Sequence, residues 1–332
     1  MTTSGRDGPG RDGPGQPGIL LAVDIGATKT IVAAVDGSPS EGLRPLLPPV
    51  RFATPRDPAT FLEEVSRATD AALPPGASPV AIGIGAPGPL DPTTGVIEHS
   101  TNLGWYDLPL AAMISDRFGG VPTQLNDDGD TGALGEAQAG AGRGADPFVF
   151  LTLGTGLGTG TVIDGRIVIG AHGAAGEVGH LAVGDRDGPR CGCGQRNCVE
   201  AWCTGIGLAR RARETWPRRR LADGMSAPRD AAAIFALARR GDADALRLIL
   251  VARHALAIAI AAMLATLDPA AISVGGSIGL EQPAFVRAAV REGKRLVHPA
   301  TGRRVELRRP QLADGSVLVG AAVLAARARQ RA

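Results

Sequence analysis

Apolar residues in this chain come in short runs that stop at glycine. ILLAVDI, from Ile19, breaks at Gly26, and TIVAAVD, from Thr30, breaks at Gly37. Runs of this length bounded by turn residues predict two strands around a tight turn. PVAIGIGA ends the same way, in a Gly/Pro turn, and Val121 to Leu125 reads as a strand followed by a helix from Thr131 to Ala139. PFVFLTL leads into a glycine-rich turn and two further strands, the last pair joined at Asp164-Gly165. A basic helical segment begins near Gly205. Helices rich in Ala and Leu are predicted over Ala231 to Ala238 and Ala243 to Leu267, the second stopped by Asp268-Pro269. A strand at Ala271 to Val274, the turn Gly275-Gly276, a strand in VELRRPQL and an Ala-rich helix from Ser316 to about Arg329 follow. Strands alternating with helices place the chain in the α/β class. The longest apolar run, Ala255 to Leu267, is too short to span a bilayer and reads as a buried helix.

Composition narrows this picture. A chain of 332 residues exceeds one compact core and predicts two domains. With 44% hydrophobic and 20% charged residues it reads as a soluble globular protein. A net charge of +2 and 3% aromatics weigh against a nucleic-acid partner, which wants a basic face and stacking rings. Residues 1–18 repeat GRDGP in tandem, cannot bury apolar area, and are expected to be a disordered tail. They lack the apolar core of a signal peptide, and no membrane partner is expected. Four cysteines in metal-like spacing fit a reducing cytoplasm better than a disulfide framework. Arg210, Arg211 and Arg213, then Arg218 to Arg220, look like a polyanion patch, although Glu214 and nearby acids make a solvated helix face the simpler reading.

Candidate chemistry concentrates between His172 and Trp202. His180, Cys191, Cys193 and Cys198 match the ligand count of a closed structural zinc site, and soft thiolates favour zinc over magnesium or calcium. Glu177 and Glu200 flank this set and are free for another ligand. Asp24, Gly26 and Thr28 sit at the first glycine turn, ahead of Lys29; Gly154, Thr155, Gly156 and Gly158 crowd the later one. Small residues let backbone N–H groups approach an anion. The later turn is not a Walker A loop, since no GK[ST] follows and a strand comes next. Asn126 and Asp127 lie at the carboxyl end of a strand, where ligands gather in open α/β sheets. Alternatively, such residues cap the following helix; one of the acids Asp127, Asp128 and Asp130 is expected to cap while Asp127 does chemistry.

Glu177-x-Gly179-His180 followed by Cys191-x-Cys193-Gly194-x-x-x-Cys198-x-Glu200 resembles the signature of the ROK family of sugar kinases and regulators. Asn197 stands where that family usually has Gly, and Asn is the best substitute at positive φ. Further segments resemble the family in order: Asp24 to Lys29 its first phosphate motif, with Ala27 for the second Gly; Gly85 to Pro89 and Ser100 to Trp105 its sugar-side segments; Asn126-Asp127 its catalytic pair; Gly154 to Gly158 its second phosphate motif; Gly275-Gly276 its adenosine turn. The family continues after the catalytic Asp with A-N-A-A-A, where this chain has Asp128-Gly129-Asp130.

The resemblance implies two ribonuclease-H-like domains of the actin–hexokinase type, with sugar and ATP in the cleft between them and a zinc loop beside it. It implies a first domain over 19–125, completed by the helix near 316–330, and a second over 126–315. The implied reaction is ATP-dependent phosphorylation of a hexose, first of all glucose at its 6-hydroxyl, in cytoplasmic carbohydrate metabolism. Asp127 is then the general base, a role that a weakly acidic hydroxyl requires. Asn102, Asn126, Glu177, His180 and Glu200 would bind the sugar, and Asp24, Gly26, Thr28, Lys29 and the later glycine turns the nucleotide. Mg²⁺ would come with ATP, near Asp24, and structural Zn²⁺ would sit on His180 and the three cysteines. A homodimer or homotetramer is the family expectation. Other readings stay open: another sugar (N-acetylmannosamine, N-acetylglucosamine, fructose), polyphosphate as donor, or a sugar-responsive regulator. The last would need a helix-turn-helix that the Gly/Pro-rich residues before Ile19 cannot form.

Overall fold

Short glycine-bounded apolar runs become the strands of two five-stranded sheets. The structure, a computed structural model, describes residues 18–37, 45–184, 187–216 and 226–332. The tail expected before Ile19 (apart from Gly18) and the cluster Arg218 to Arg220 lie outside the described residues.

In chain order, β1 (Ile19–Ile25), β2 (Lys29–Asp36) and β3 (Val50–Ala53) precede α1 (Pro58–Ala72) and β4 (Ala81–Ala86). A small separate sheet follows, β5 (Leu90–Asp91), β6 (Val96–Ser100) and β7 (Trp105–Leu108), then α2 (Leu110–Arg117), β8 (Thr123–Asp127) and α3 (Asp128–Ala139). The second half runs β9 (Phe148–Leu153), β10 (Leu157–Ile163) and β11 (Arg166–Ile167), a 3₁₀ turn at Val178–His180, then α4 (Val199–Cys203), α5 (Gly205–Thr215), α6 (Ala231–Arg239) and α7 (Ala243–Leu267). It closes with β12 (Ala271–Gly275), α8 (Gly276–Glu281), α9 (Pro283–Leu296), β13 (Glu306–Arg308) and α10 (Ser316–Arg331).

The two large sheets share one plan. The first has the order β3-β2-β1-β4-β8, and the second β11-β10-β9-β12-β13. In each, three strands form an antiparallel meander; its first strand pairs in parallel with a later strand (β1 with β4, β9 with β12), and that strand pairs in parallel with the last (β4 with β8, β12 with β13). This is the ribonuclease-H-like order that the family resemblance implied, used twice.

Each sheet has its own core. Leu21, Val23, Ile82 and Ile84 are fully buried in the first, with Phe61 and Val65 of α1 packed on them. Phe61 meets Trp105 edge-on at 4.9 Å, and the Trp105 indole N–H donates to the Arg56 carbonyl at 2.7 Å, which fastens the small sheet to α1. The second core gathers Val149, Leu151, Ile272 and Val274 under the helices α6, α7 and α9. Helix α7 is long and apolar enough to cross a membrane by length and composition, and half of that apolar window is buried in this core.

Helices α3 and α10 are exchanged between the halves. α3 follows the last strand of the first sheet yet packs on β9 and β10 of the second; α10 follows the last strand of the second and packs on β1 and β4 of the first. Where they cross, there is no room for side chains: a Cβ on Gly320 would lie 1.8 Å from the Thr131 carbonyl oxygen, and one on Gly135 2.0 Å from that of Ser316. Gly83 gives α10 the same close approach to β4, since its Cβ would lie 1.8 Å from the Ala321 oxygen. The buried Glu136 carboxylate locks the crossing, accepting from the Ala141 N–H (2.7 Å), the Leu312 N–H (3.0 Å) and the Ser316 hydroxyl (3.0 Å).

One predicted boundary moves. Strand β8 extends through Asp127, and α3 starts at Asp128, three residues before the predicted Thr131. Gly and Asp are poor helix formers in a helix interior. In the first turn, however, Asp128 and Asp130 meet the positive end of the helix dipole, which offsets that penalty.

Candidate active site

Parallel pairing brings three sequence-distant segments into one row. Asp24 of β1 lies opposite Gly85 of β4, Gly85 lies opposite Asn126 of β8, and Ala86 lies opposite Asp127. All are at the carboxyl ends of their strands, where an α/β sheet leaves a crevice. Gly26, Thr28 and Lys29 lie in and beside the turn after β1. That turn is closed by the Gly26 N–H to the Lys29 carbonyl (2.9 Å) and braced by the Thr54 hydroxyl on the Gly26 carbonyl (2.7 Å). Ala27, Thr28 and Lys29 are exposed there.

The helix cap falls to Asp127 itself rather than to a neighbouring acid. Its Oδ1 accepts the Gly129 N–H at 2.9 Å. Asn126 Oδ1 accepts the Asp127 N–H at 2.8 Å, which leaves the Asn126 Nδ2 donors for another acceptor. Burial raises the Asp127 pKa, while backbone N–H groups of Gly129 and Gly88 pull it back. Asp128 is pushed up to about 8, by burial first and then by the charges of Asp127 and Asp24. Asp130 is also pushed up to about 8, by burial first and then by Asp127 and Glu177; its Oδ1 has no hydrogen-bond partner. Five carboxyl groups therefore share one field, which favours the protonated forms of Asp128 and Asp130.

Glycines let the second half close on this row. A Cβ on Gly129 would lie 3.2 Å from the Thr159 nitrogen, and one on Gly160 would lie 2.7 Å from the Gly129 oxygen, so the start of α3 rests directly on β10. The turn Gly154–Gly156 before β10 lies beside the turn after β12, where Gly276 adopts φ +76° and a Cβ on Gly154 would lie 3.2 Å from Ser277 Oγ. The turns that the resemblance assigned to phosphate and to adenosine are thus neighbours.

The Cys/His cluster assembles as its spacing suggested. One ligand atom each from His180, Cys191, Cys193 and Cys198 lie within 4.8 Å of one another. Sγ of Cys193 and Cys198 are 3.7 Å apart, and His180 Nδ1 is 3.7 Å from Cys191 Sγ. A tetrahedron with Zn–S bonds of about 2.3 Å has S···S edges of about 3.8 Å, so these residues fit zinc. Burial, then the neighbouring thiols, push Cys198 up to about 12; thiolates here call for a cation. Asn197 has φ +64°, so it does take the left-handed turn expected of the replaced Gly. Cys203 is buried outside the cluster.

The same ring and loop face the carboxylate row. His180 Nε2 lies 3.7 Å from Glu177 Oε2, while its Nδ1 faces the sulfurs. Burial raises the Glu177 pKa, His180 lowers it, and Asp127 and Glu200 raise it again. Glu200 Oε2 accepts the Leu157 N–H at 3.2 Å, and its Oε1 is 3.6 Å from Cys191 Sγ. Sequence reasoning missed this tie between the zinc loop and the glycine turn, because nothing in either segment specifies the other. Asn102 stands apart, exposed in the turn between β6 and β7.

The ROK family model matches residues 20–328. The chain belongs to the ROK family. An N-acetylmannosamine kinase of Citrobacter koseri is 34% identical over 79% of this chain and 84% of its own length. A glucokinase of Streptomyces coelicolor is 31% identical over 59% of this chain and 60% of its own. The chain's matches span about two fifths to three fifths of the first curated glucokinases. Among solved structures, a ROK hexokinase from Thermus thermophilus superposes with a TM-score of 0.78 at 31% identity, covering 95% of this chain and all of that one. A ROK glucokinase from Streptomyces griseus in complex with glucose and AMPPNP gives 0.74 at 31% identity, covering 93% and 100%. A ROK transcriptional regulator gives 0.78 at 23% identity and shares the fold.

Proposed function

We propose that this ROK protein is an ATP-dependent hexose kinase acting on glucose at its 6-hydroxyl, with the two sheets as two lobes around the substrate cleft. The observation that carries the reading is the row Asp24–Gly85–Asn126–Asp127, set against two glycine turns and the zinc loop. The likeness to a glucokinase that binds glucose and AMPPNP supports it.

Asp127 takes the hydroxyl proton as the phosphoryl group arrives. Its raised pKa brings the base closer to working pH, where a general base is most effective. The Gly129 N–H fixes Oδ1, and Oδ2, beside Gly88, is the oxygen that meets the sugar hydroxyl. Asn126, Glu177, His180 and Glu200 bind sugar hydroxyls, while Asn102, exposed between β6 and β7, is left outside this set. The glycine turns present N–H groups to phosphates, with Lys29 at the rim of the first turn. Phosphoryl transfer otherwise depends on positioning and charge neutralisation. Mg²⁺ would come with ATP and would supply neutralisation of phosphate charge, with Asp24 the residue beside it. His180, Cys191, Cys193 and Cys198 would hold zinc with four protein ligands, which would make it structural.

A panel of hexoses and N-acetylhexosamines against ATP and polyphosphate, with Asp127→Asn beside wild type, tests the reading. Glucose with ATP should give the highest kcat/KM, and Asp127→Asn should lose ~10²–10⁴-fold in kcat with a smaller change in sugar affinity. No transfer to any sugar by folded, zinc-loaded protein would overturn it, and so would an active Asp127→Asn beside a dead Asp130→Asn.

A further inference from the structure

The arginines of α5 do not face open solvent alone. A pocket of about 640 Å³ lies between α5 and the outer side of the zinc loop, lined by Arg190, Arg196, Arg210 and Arg211, with Asp187 and Glu214 at its edge. This size suits a small ligand. Four guanidinium groups against two carboxylates leave a local charge of +2.

The arginines come from two elements. Arg190 and Arg196 are bridged to each other across the zinc loop. Arg210 and Arg211 stand on α5, and the Arg210 guanidinium donates to the Arg190 carbonyl. Arg196 donates to the Gly188 carbonyl at 3.0 Å, and the Arg211 guanidinium carbon sits over Trp202, 4.6 Å from the ring centre. Three of the four are thereby oriented, and Arg190 has no side-chain partner among the described residues. Oriented planar forks recognise phosphate oxygens bidentately. A phosphate monoester carries a charge of about −1.5 to −2 near neutrality, which matches the pocket.

We infer that this pocket is a binding site for a phosphate-bearing dianion, held between α5 and the zinc loop. Its floor includes Cys191, whose sulfur faces both His180 and Glu200. An anion that ties Arg190 and Arg196 to Arg210 and Arg211 holds the loop that presents those two residues. Given the kinase reading above, bound phosphate tightens sugar binding, and sugar tightens phosphate by the same factor. The site itself does not depend on that reading.

Titration calorimetry on the full, zinc-loaded chain tests it, with inorganic phosphate and with a hexose 6-phosphate at one fixed ionic strength. Arg190→Gln removes a guanidinium that makes no internal bond, and should weaken phosphate binding at least about tenfold with zinc content unchanged. Glu214→Gln should tighten it, an outcome that general damage to the loop would not give. If Arg190→Gln weakens inorganic phosphate alone, the ligand is free phosphate; if it weakens both, the pocket also takes the monoester. Undetectable phosphate binding by wild type, or equal binding by wild type and both variants, overturns the site. Phosphate that binds in an Arg190-dependent way while sugar affinity stays fixed keeps the site and removes the coupling.

Discussion

Replacing Gly320 by Ala sets two effects of opposite sign against each other. In an unconstrained helix interior, Gly→Ala stabilises by about 1 kcal/mol, through propensity and loss of unfolded-chain freedom. Here the new Cβ would lie 1.8 Å from the Thr131 oxygen, against the 3.0 Å below which such contacts are essentially never found. The α3–α10 crossing must open by about 1.2 Å. Neither helix has an easy retreat: Gly83 holds α10 against β4, and Glu136 ties α3 to the residues before α10. Overpacking of this kind costs about 1–3 kcal/mol, so the net change should be destabilising, with Tm lower by a few degrees. The catalytic consequence should be larger. Asp127 caps α3 one turn before Thr131, and a shift near 1 Å in a reacting group can cost about 10²-fold. Differential scanning calorimetry and steady-state kinetics on Gly320→Ala measure both. A variant at least as stable as wild type with unchanged kcat would refute the argument that this backbone contact positions the base.

The zinc loop should control sugar rather than nucleotide. Cys191→Ser, Cys193→Ser and Cys198→Ser should each lose zinc and free His180 and Glu200 together; two charged contacts at about 1.5–3 kcal/mol each put the rise in glucose KM near 10²–10⁴-fold, with ATP KM far less affected. Zinc-free Cys191→Ser with an ordinary glucose KM would count against this. Cys203→Ser should keep its zinc, yet it buries a hydroxyl in an apolar site and should lose about 1–3 kcal/mol, read by urea denaturation. Asp128 and Asp130 hold folded pKa values raised to about 8, so they favour the fold fully only below the unfolded carboxylate range, and that contribution is lost as pH climbs from about 4 to 8. Each can tilt stability by up to about 1.4 kcal/mol per pH unit. Asp130→Asn should flatten the fall in stability between pH 5 and 8, and a slope identical to wild type would show that Asp130 ionises as an ordinary acid.

What was legible in the sequence was whatever a local pattern encodes. The hairpin β1–β2, the turn at Asp164-Gly165 and helix α7 each follow from residues within a few positions of one another, whereas the left-handed Asn197 was legible through the glycine that the family has there. The Cys/His set was legible because zinc ligands declare themselves by type and spacing. The row Asp24–Gly85–Asn126 was not, because parallel pairing joins segments that share no local signal. The small sheet β5–β7 and helices α1, α2 and α9 were passed over as well; their strands are short and half exposed, and their helices lack a long apolar run. The double duty of Asp127, capping and facing the cleft, could have been found by weighing the acidic first turn of α3 against its glycine.

The exchange of α3 and α10 bears on how the protein is made. The first sheet leaves the ribosome early, but one of its faces is built of Ala22, Ala33 and the bare backbone of Gly83, shaped to receive α10. That helix is synthesised about 290 residues after β1 ends. Until then the emerging half carries an unfinished apolar surface, and it cannot mature as the independent early unit that vectorial synthesis usually allows. No single cut between the sheets yields two complete pieces, since each piece would keep the helix that belongs to the other. Assembly of the two halves is therefore one late event, and a chain truncated before Ser316 should emerge as a species for chaperones and proteases, with the first sheet left open on the face that α10 covers.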